Sequence, residues 1–334
     1  MKLSYRTRCA LKQIGKVALV IFIVGALAYS LWFAWLDRFV VYTREEGAHL
    51  DFSFSITDRT GIAAEKPAQQ PPVSIFYNDG QLEEESEELS KLKGYYVTAY
   101  QLEDDLDGVL AKLQELPKGT TVMLDVKNVY GNFFYSSAVR EHRNSDIDPE
   151  AMDRFLETVN NGNLYTIARL PAFRDMKYGR ENIMQTLQDK SGYGWYDYYG
   201  CYWLVPSKSA VQEYLTQITM ELRDLGFREV MFFDFCFPDT DKIVFNGDKK
   251  QTLYDVAQTL VKACSTDRFT VSFQDSGFGF PEGRCRLYAT DIAAEGIESY
   301  VQKYEQENPE TAFVFMTELH DTRYEQYGVL RPLK

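Results

Sequence analysis

One run constrains this chain more than any other. It reads Gly226-Phe227-Arg228-Glu229-Val230-Met231-Phe232-Phe233-Asp234-Phe235-Cys236-Phe237-Pro238. A short apolar segment held between a glycine and a proline has the pattern of a strand buried on both faces, as in parallel sheets covered by helices. A carboxylate at the C-terminal tip of such a strand is costly unless it is paired or faces a site. In α/β folds that tip is where reactive groups stand. Asp234 is therefore a candidate catalytic residue; the plainer alternatives are a cap on the next turn or an arginine pair.

The run belongs to a series. Residues 95–100, 121–126, 165–170, 268–273, 286–289 and 311–317 are further strand candidates. Between them lie segments of helical spacing: Leu106, Val109, Leu110, Leu113 and Leu116 before Pro117; Met152, Phe155, Leu156 and Val159 after Asp148-Pro149; Val211, Tyr214, Leu215, Ile218, Leu222 and Leu225 before Gly226; and Leu253, Val256, Leu260, Val261 and Cys264. Strands alternating with helices imply parallel βα units with right-handed crossovers. Seven units over residues 94–334 predict a (β/α)8 barrel of the TIM type, irregular or incomplete, its eighth strand hidden, supplied by the N-terminal strands or absent. A doubly wound sheet is the alternative, without a Gly-rich dinucleotide or phosphate loop to support it.

Residues 17–36 carry no charge. At about 1.5 Å per residue such a helix spans roughly 30 Å, the thickness of a hydrocarbon core. Lys2, Arg6, Arg8, Lys12 and Lys16 precede it without an acid, which predicts a basic cytoplasmic tail (1–16), a transmembrane anchor (17–36) and an extracellular remainder. A cleaved signal peptide, with Ala26-Leu27-Ala28 as its site, is the rival reading. Residues 37–93 predict half-buried strands (Leu50, Phe52, Phe54 and Ile56 alternate with polar residues), a linker over 57–72, a strand over 73–77 and a solvated acidic run from Glu83 to Glu88.

Beyond the tail, 31 bases face 49 acids, a net of −18. That argues against nucleic acid as a partner, since such binding rests on neutralising phosphates. Cys9, Cys201, Cys236, Cys264 and Cys285 form no CxxC pair, and His49, His142 and His320 lack ligand spacing, so neither metal nor cofactor is expected. For the four later cysteines free buried thiols are the expectation, with disulfides as the alternative.

Acids recur at the predicted strand ends: Asp125, Asp234, Asp275 and Glu318. In a barrel they would converge on one mouth. Glycoside hydrolysis needs two carboxylates, about 5–5.5 Å apart for retention or roughly 6.5–9.5 Å for inversion. Lys127 is expected to pair with Asp125. The connection after the third strand carries Tyr193, Trp195, Tyr196, Tyr198, Tyr199, Tyr202 and Trp203. Flat rings suit sugar faces, and equally suit a loop packed on the barrel.

Several ordered stretches together resemble the bacterial putative glycosyl hydrolase domain, a TIM barrel of unknown function distantly related to α-amylase-type hydrolases. They are Gly94 to Ala99, Val122 to Lys127, Gly131, Tyr135-Ser136-Ser137, Tyr165 to Leu170, Phe173-Arg174-Asp175, Trp203 to Pro206, Tyr214 and Gly226 to Pro238. The resemblance covers residues 94–275. It implies a sugar-cleaving site whose principal acid is the aspartate near the end of the fourth strand. The usual pattern is Phe-Asp-Tyr-Ile-Arg-Phe-Pro; set without a gap on Phe237-Pro238, its Asp falls on Phe233 and its Arg on Cys236. A slip of one residue turns a strand side chain to the other face unless a bulge restores it.

The expected function is a membrane-anchored extracellular glycoside hydrolase acting on a polysaccharide or cell-wall glycan. Asp234, Asp275 and Glu318 are its candidate catalytic residues, and Asp125, Lys127, Arg169, Trp195 and Trp203 its candidate substrate-binding residues. The alternative is a degenerate barrel that binds glycan or a protein partner at the cell surface. A metal-dependent deacetylase is disfavoured by the missing histidine ligands.

Overall fold

The computed structural model describes Tyr29, Trp32 and residues 40–43, 47–50, 88–139, 147–290 and 292–334. The chain divides into two units, Met1–Leu82 and Glu83–Lys334. In the first, β1 (Val40–Thr43) pairs antiparallel with β2 (Gly47–Leu50). Apart from Tyr29 and Trp32, the expected membrane span lies outside the described residues, as do the strand expected over 50–56 except Leu50, which ends β2, the strand over 73–77, the linker and most of the acidic run. Among the described residues no helix is long and apolar enough to cross a membrane.

The second unit is built on eight parallel strands: β3 (Lys93–Val97), β4 (Thr121–Asp125), β5 (Tyr165–Pro171), β7 (Glu229–Phe233), β9 (Thr270–Gln274), β10 (Leu287–Thr290), β11 (Phe313–Met316) and β12 (Gly328–Pro332). They close in that order, β12 pairing with β3. Two short strands, β6 (Gln188–Asp189) and β8 (Ile243–Val244), pair antiparallel outside the barrel. The eighth barrel strand is therefore the C-terminal β12. Only a single 3-10 turn, Tyr324–Gln326, precedes it, too short to give a helical period in the sequence.

Local chemistry sets the boundaries. The first strand stops at Val97, not at residue 100 as expected, because Thr98 opens a helix over Ala99–Asp104 and its N–H donates to Gln101 Oε1 at 3.1 Å. Asp148 accepts from Glu150 N at the head of helix Pro149–Asn160, and Asp248 from Gln251 N at the head of Lys249–Cys264. Helix Ser209–Asp224 ends before Gly226, whose φ of +92° needs no Cβ. Gly94 has a different cause: a Cβ there would sit 1.8 Å from the Thr121 carbonyl oxygen on β4.

Strand alternation divides the core in two. Val122, Leu124, Ala168, Leu170, Val230, Phe232, Val271 and Phe273 face the helices, while Met123, Ile167, Met231, Tyr288, Val314 and Leu330 fill the barrel. At its N-terminal end the interior is polar. Glu229 accepts from Ser272 Oγ (2.6 Å), Tyr288 OH (2.7 Å), Tyr165 OH (2.9 Å) and Arg286 Nη1 (2.5 Å). Arg286 also donates to the Thr311 and Ser90 carbonyls, at 3.0 and 2.9 Å. Each side-chain nitrogen and oxygen of Glu229 and Arg286 has at least one partner, which is what makes a buried charge pair tolerable.

Candidate active site at the barrel mouth

Counted inward along β4, β5 and β7, the side chains after the core layer are Asp125, Arg169 and Phe233. Asp125 and Arg169 are register partners on neighbouring strands. Arg169 Nη1 lies 2.9 Å from Asp125 Oδ1, and the Ala99 N–H donates to Asp125 Oδ2 at 2.9 Å. Burial pushes the Asp125 carboxyl up, against the pull of Arg169. The Arg169 guanidinium also covers the Phe233 ring, 4.5 Å from its centroid. Arg169, expected to bind substrate, neutralises a carboxylate of the barrel itself. That carboxylate was expected to pair with Lys127. Instead Lys127 Nζ lies 2.7 Å from Asp175, with both side chains 1% exposed. The strand has ended at Asp125, so Lys127 turns into the helix layer, where Asp175 also accepts from Tyr178 N and Tyr214 OH. In that position Lys127 is structural and reaches no substrate.

Asp234 is one place beyond the strand. An ordinary strand residue there would point away from the interior, but Asp234 has φ +49°. A left-handed residue thus stands where the sequence left room for a bulge. It sets the carboxylate 3.8 Å from Arg174 Nη1, where Arg169 also acts on its charge. The Asp234 N–H donates to Gln274 Oε1 at 3.3 Å. Burial raises the Asp234 carboxyl above its ordinary value, Arg174 and Arg169 pulling it down and Asp197 pushing it up.

Asp275 is not at the mouth. Its Oδ2 accepts from Tyr300 OH (2.9 Å) and Tyr304 OH (2.6 Å), and its Oδ1 from the Gly277 N–H (2.8 Å). Tyr300 lies on the helix Ile297–Gln302 and Tyr304 just beyond it, so the Asp275 carboxylate expected to be catalytic is engaged from the helix layer in a structural setting. Glu318, just past β11, is exposed, and its charge helps burial to raise the Tyr96 phenol, which Arg169 pulls down. Of the four acids expected at the strand ends, Asp125 and Asp275 are tied by short hydrogen bonds, Asp234 is paired to Arg174 at 3.8 Å, and Glu318 is exposed.

The aromatic connection also differs from expectation. Trp203 is 7% exposed, its Nε1 donating to Asp197 Oδ2 at 3.1 Å, and Trp195 packs partly buried against the core. The open rings are tyrosines: Tyr193, Tyr196, Tyr198 and Tyr199, at 74%, 60%, 96% and 67% exposure. Arg174 links this strap to the mouth. Its Nε is 2.7 Å from Asp197, and its guanidinium stands over the rings of Tyr199 and Trp203. Arg174, Asp197 and Gln274 were not among the residues expected from the sequence. The four described cysteines are free thiols, and among the described residues no cluster of three His, Cys, Asp or Glu could hold a metal ion.

The putative glycosyl hydrolase domain matches residues 94–307, from β3 past the helix that follows β10. The chain belongs to that family. Similar solved structures include a hypothetical protein from Ruminiclostridium thermocellum, at 22% identity over 54% of this chain and 97% of that one, with a TM-score of 0.47. The glycoside hydrolase domain of PelA from Pseudomonas aeruginosa is 11% identical over 73% of this chain and 94% of that one, with a TM-score of 0.43. An α-galactosidase from Lactobacillus brevis is 11% identical over 74% of this chain, with a TM-score of 0.49; this chain spans 38% of that enzyme. No curated protein matches the chain.

Proposed function

We propose that the barrel mouth acts on a polysaccharide or cell-wall glycan and that Asp234 is its working carboxylate. One observation carries this reading: a non-glycine residue held at φ +49° on the tip of the fourth barrel strand, with its carboxyl raised by burial between two guanidiniums. Such backbone strain costs on the order of 1–3 kcal/mol and persists where function uses it. A raised carboxyl suits proton transfer to a leaving oxygen. Glu318 serves as the second carboxylate of the pair that glycosidic cleavage requires. Arg169, held by Asp125, balances the charge between them. Release of reducing ends from a polysaccharide panel tests the assignment. Asp234→Asn should abolish it with the fold intact, and full activity in that variant rules the role out.

A second reading has its own observation. Phe233, not an acid, fills the inward position at the end of β7, and Asp275 is tied to two tyrosines. A barrel that binds glycan without cutting it would give saccharide binding that survives Asp234→Asn and no reducing ends from the native protein.

Residues 17–36, in this proposal, anchor the protein in a membrane with the barrel outside. The uncharged span and the five basic residues before it support that arrangement. Carbonate-resistant membrane association, with the barrel open to added protease on intact cells, is the expected result. Recovery in the soluble fraction would overturn it.

A further inference from the structure

The strap between β5 and β7 leaves a continuous path outward from the mouth. Asp234 lies 3.8 Å from Arg174. The Arg174 guanidinium lies 5.2 Å from the centroid of the Tyr199 ring, and that ring meets Tyr198 edge-on at 5.5 Å. Both rings are open to solvent while the tryptophan behind them is buried. The path is held rigidly. Asp197 Oδ1 accepts from the N–H groups of Tyr199 (2.9 Å) and Cys201 (3.1 Å), its Oδ2 takes Trp203 Nε1 and faces Arg174, and Gly200 turns the chain at φ +76°.

We infer that Tyr199 and Tyr198 form a second saccharide subsite, wired to the mouth through Arg174, so that the ligand is an oligomer of at least two pyranose units. The inference rests on the reading that the mouth takes saccharide. An aromatic ring with a polar tip offers an apolar face to a pyranose and a hydroxyl to its rim. Tyrosine loses little side-chain freedom on binding, and a strap fixed beforehand spares the cost of ordering. Arg174 is already matched by Asp197 and Asp234, so the path presents no unpaired cation to a charged glycan; an uncharged one fits it. Trp203 serves as the floor on which Arg174 rests and is not itself a stacking surface.

Calorimetric titration of the full chain tests this, with disaccharides and hexasaccharides of three series: β-1,4-linked glucose, β-1,4-linked N-acetylglucosamine and α-1,4-linked glucose. Turnover is blocked by Asp234→Asn. In the series that binds, the hexasaccharide should bind tighter than the disaccharide. Tyr198→Ala and Tyr199→Ala should each shrink that preference about three- to tenfold. Tyr198→Phe and Tyr199→Phe, which keep the ring, should retain it. If both Ala variants keep the native preference while disaccharide still binds, the subsite is overturned and the mouth reading stands. If no member of any series binds, the saccharide reading and the subsite fall together.

Discussion

Arg174 Nη1 stands 3.8 Å from Asp234 Oδ2, and the same guanidinium meets Asp197 at 2.7 Å through Nε. One cation therefore fastens an excursion of the chain to the tip of a barrel strand. The Asp234 side of this arrangement is held at a cost in stability, which experiment can read.

Burial outweighs both guanidiniums, so the Asp234 carboxyl lies above its unfolded value. An acid raised on folding contributes stability that is present below the unfolded value, about 3.9, and lost as pH rises through the folded one. Asp234→Asn removes that loss. The variant should be more stable than the native protein at neutral pH, with the gap closing towards pH ~3. Asp234→Gly should add about 1 kcal/mol by relaxing φ. Urea unfolding across this range checks both, and a gap that widened on acidification would contradict the assignment.

The barrel floor should be unforgiving. Arg286→Met leaves Glu229 charged, buried and short of its cation, at an expected cost of about 3–5 kcal/mol. Replacing both partners, Glu229→Leu with Arg286→Met, should cost less than the two single changes added together. Additive losses in chemical denaturation would show that the pair is not coupled.

Gly94→Ala is the sharpest test of barrel closure. The added Cβ would meet backbone, the Thr121 carbonyl, at 1.8 Å. The loss should exceed the roughly 1–3 kcal/mol of ordinary overpacking, read as a collapse of the cooperative thermal transition. A variant of native Tm would mean that β3 and β4 do not approach as described.

Asp275→Asn should lower stability by about 1–2 kcal/mol through its contacts with Tyr300 and Tyr304, and should leave saccharide turnover at the native level. Loss of turnover at unchanged stability would return Asp275 to the catalytic set.

Burial pushes the thiols of Cys201 and Cys236 each up to about 11. Alkylation of the folded protein by iodoacetamide should be slow near pH 7 and rise about tenfold per pH unit before levelling off. Rapid modification of Cys236 at neutral pH would contradict the buried setting.

The strands legible in the sequence were those with an apolar run closed by Gly or Pro and followed by a helical period, of which 226–238 is the clearest. β12 escaped because Gly328, Arg331 and Pro332 take three of its five positions, leaving too few apolar residues for a pattern. The mouth was half legible. Asp125 was legible as a strand-end acid and Arg169 as a residue of the next strand, but nothing in the sequence announced the left-handed backbone at Asp234. Lys127 was misassigned because proximity along the chain favoured Asp125, whereas Asp175 is brought to it only by the next βα connection. Trp195 and Trp203 attracted attention by type. Yet the larger apolar rings were the ones drawn under the strap, and the tyrosines, with a hydroxyl to keep in water, were left outside.

The saturated cluster of Glu229, Arg286, Tyr165, Tyr288 and Ser272 gives the barrel a blind end. Among the described residues that cluster fills the floor of the barrel, so the open end is the one at the tips of the strands. For a polymeric ligand, such a floor favours approach from the rim alone. Such a ligand would be laid across the rim or nosed in by one terminus.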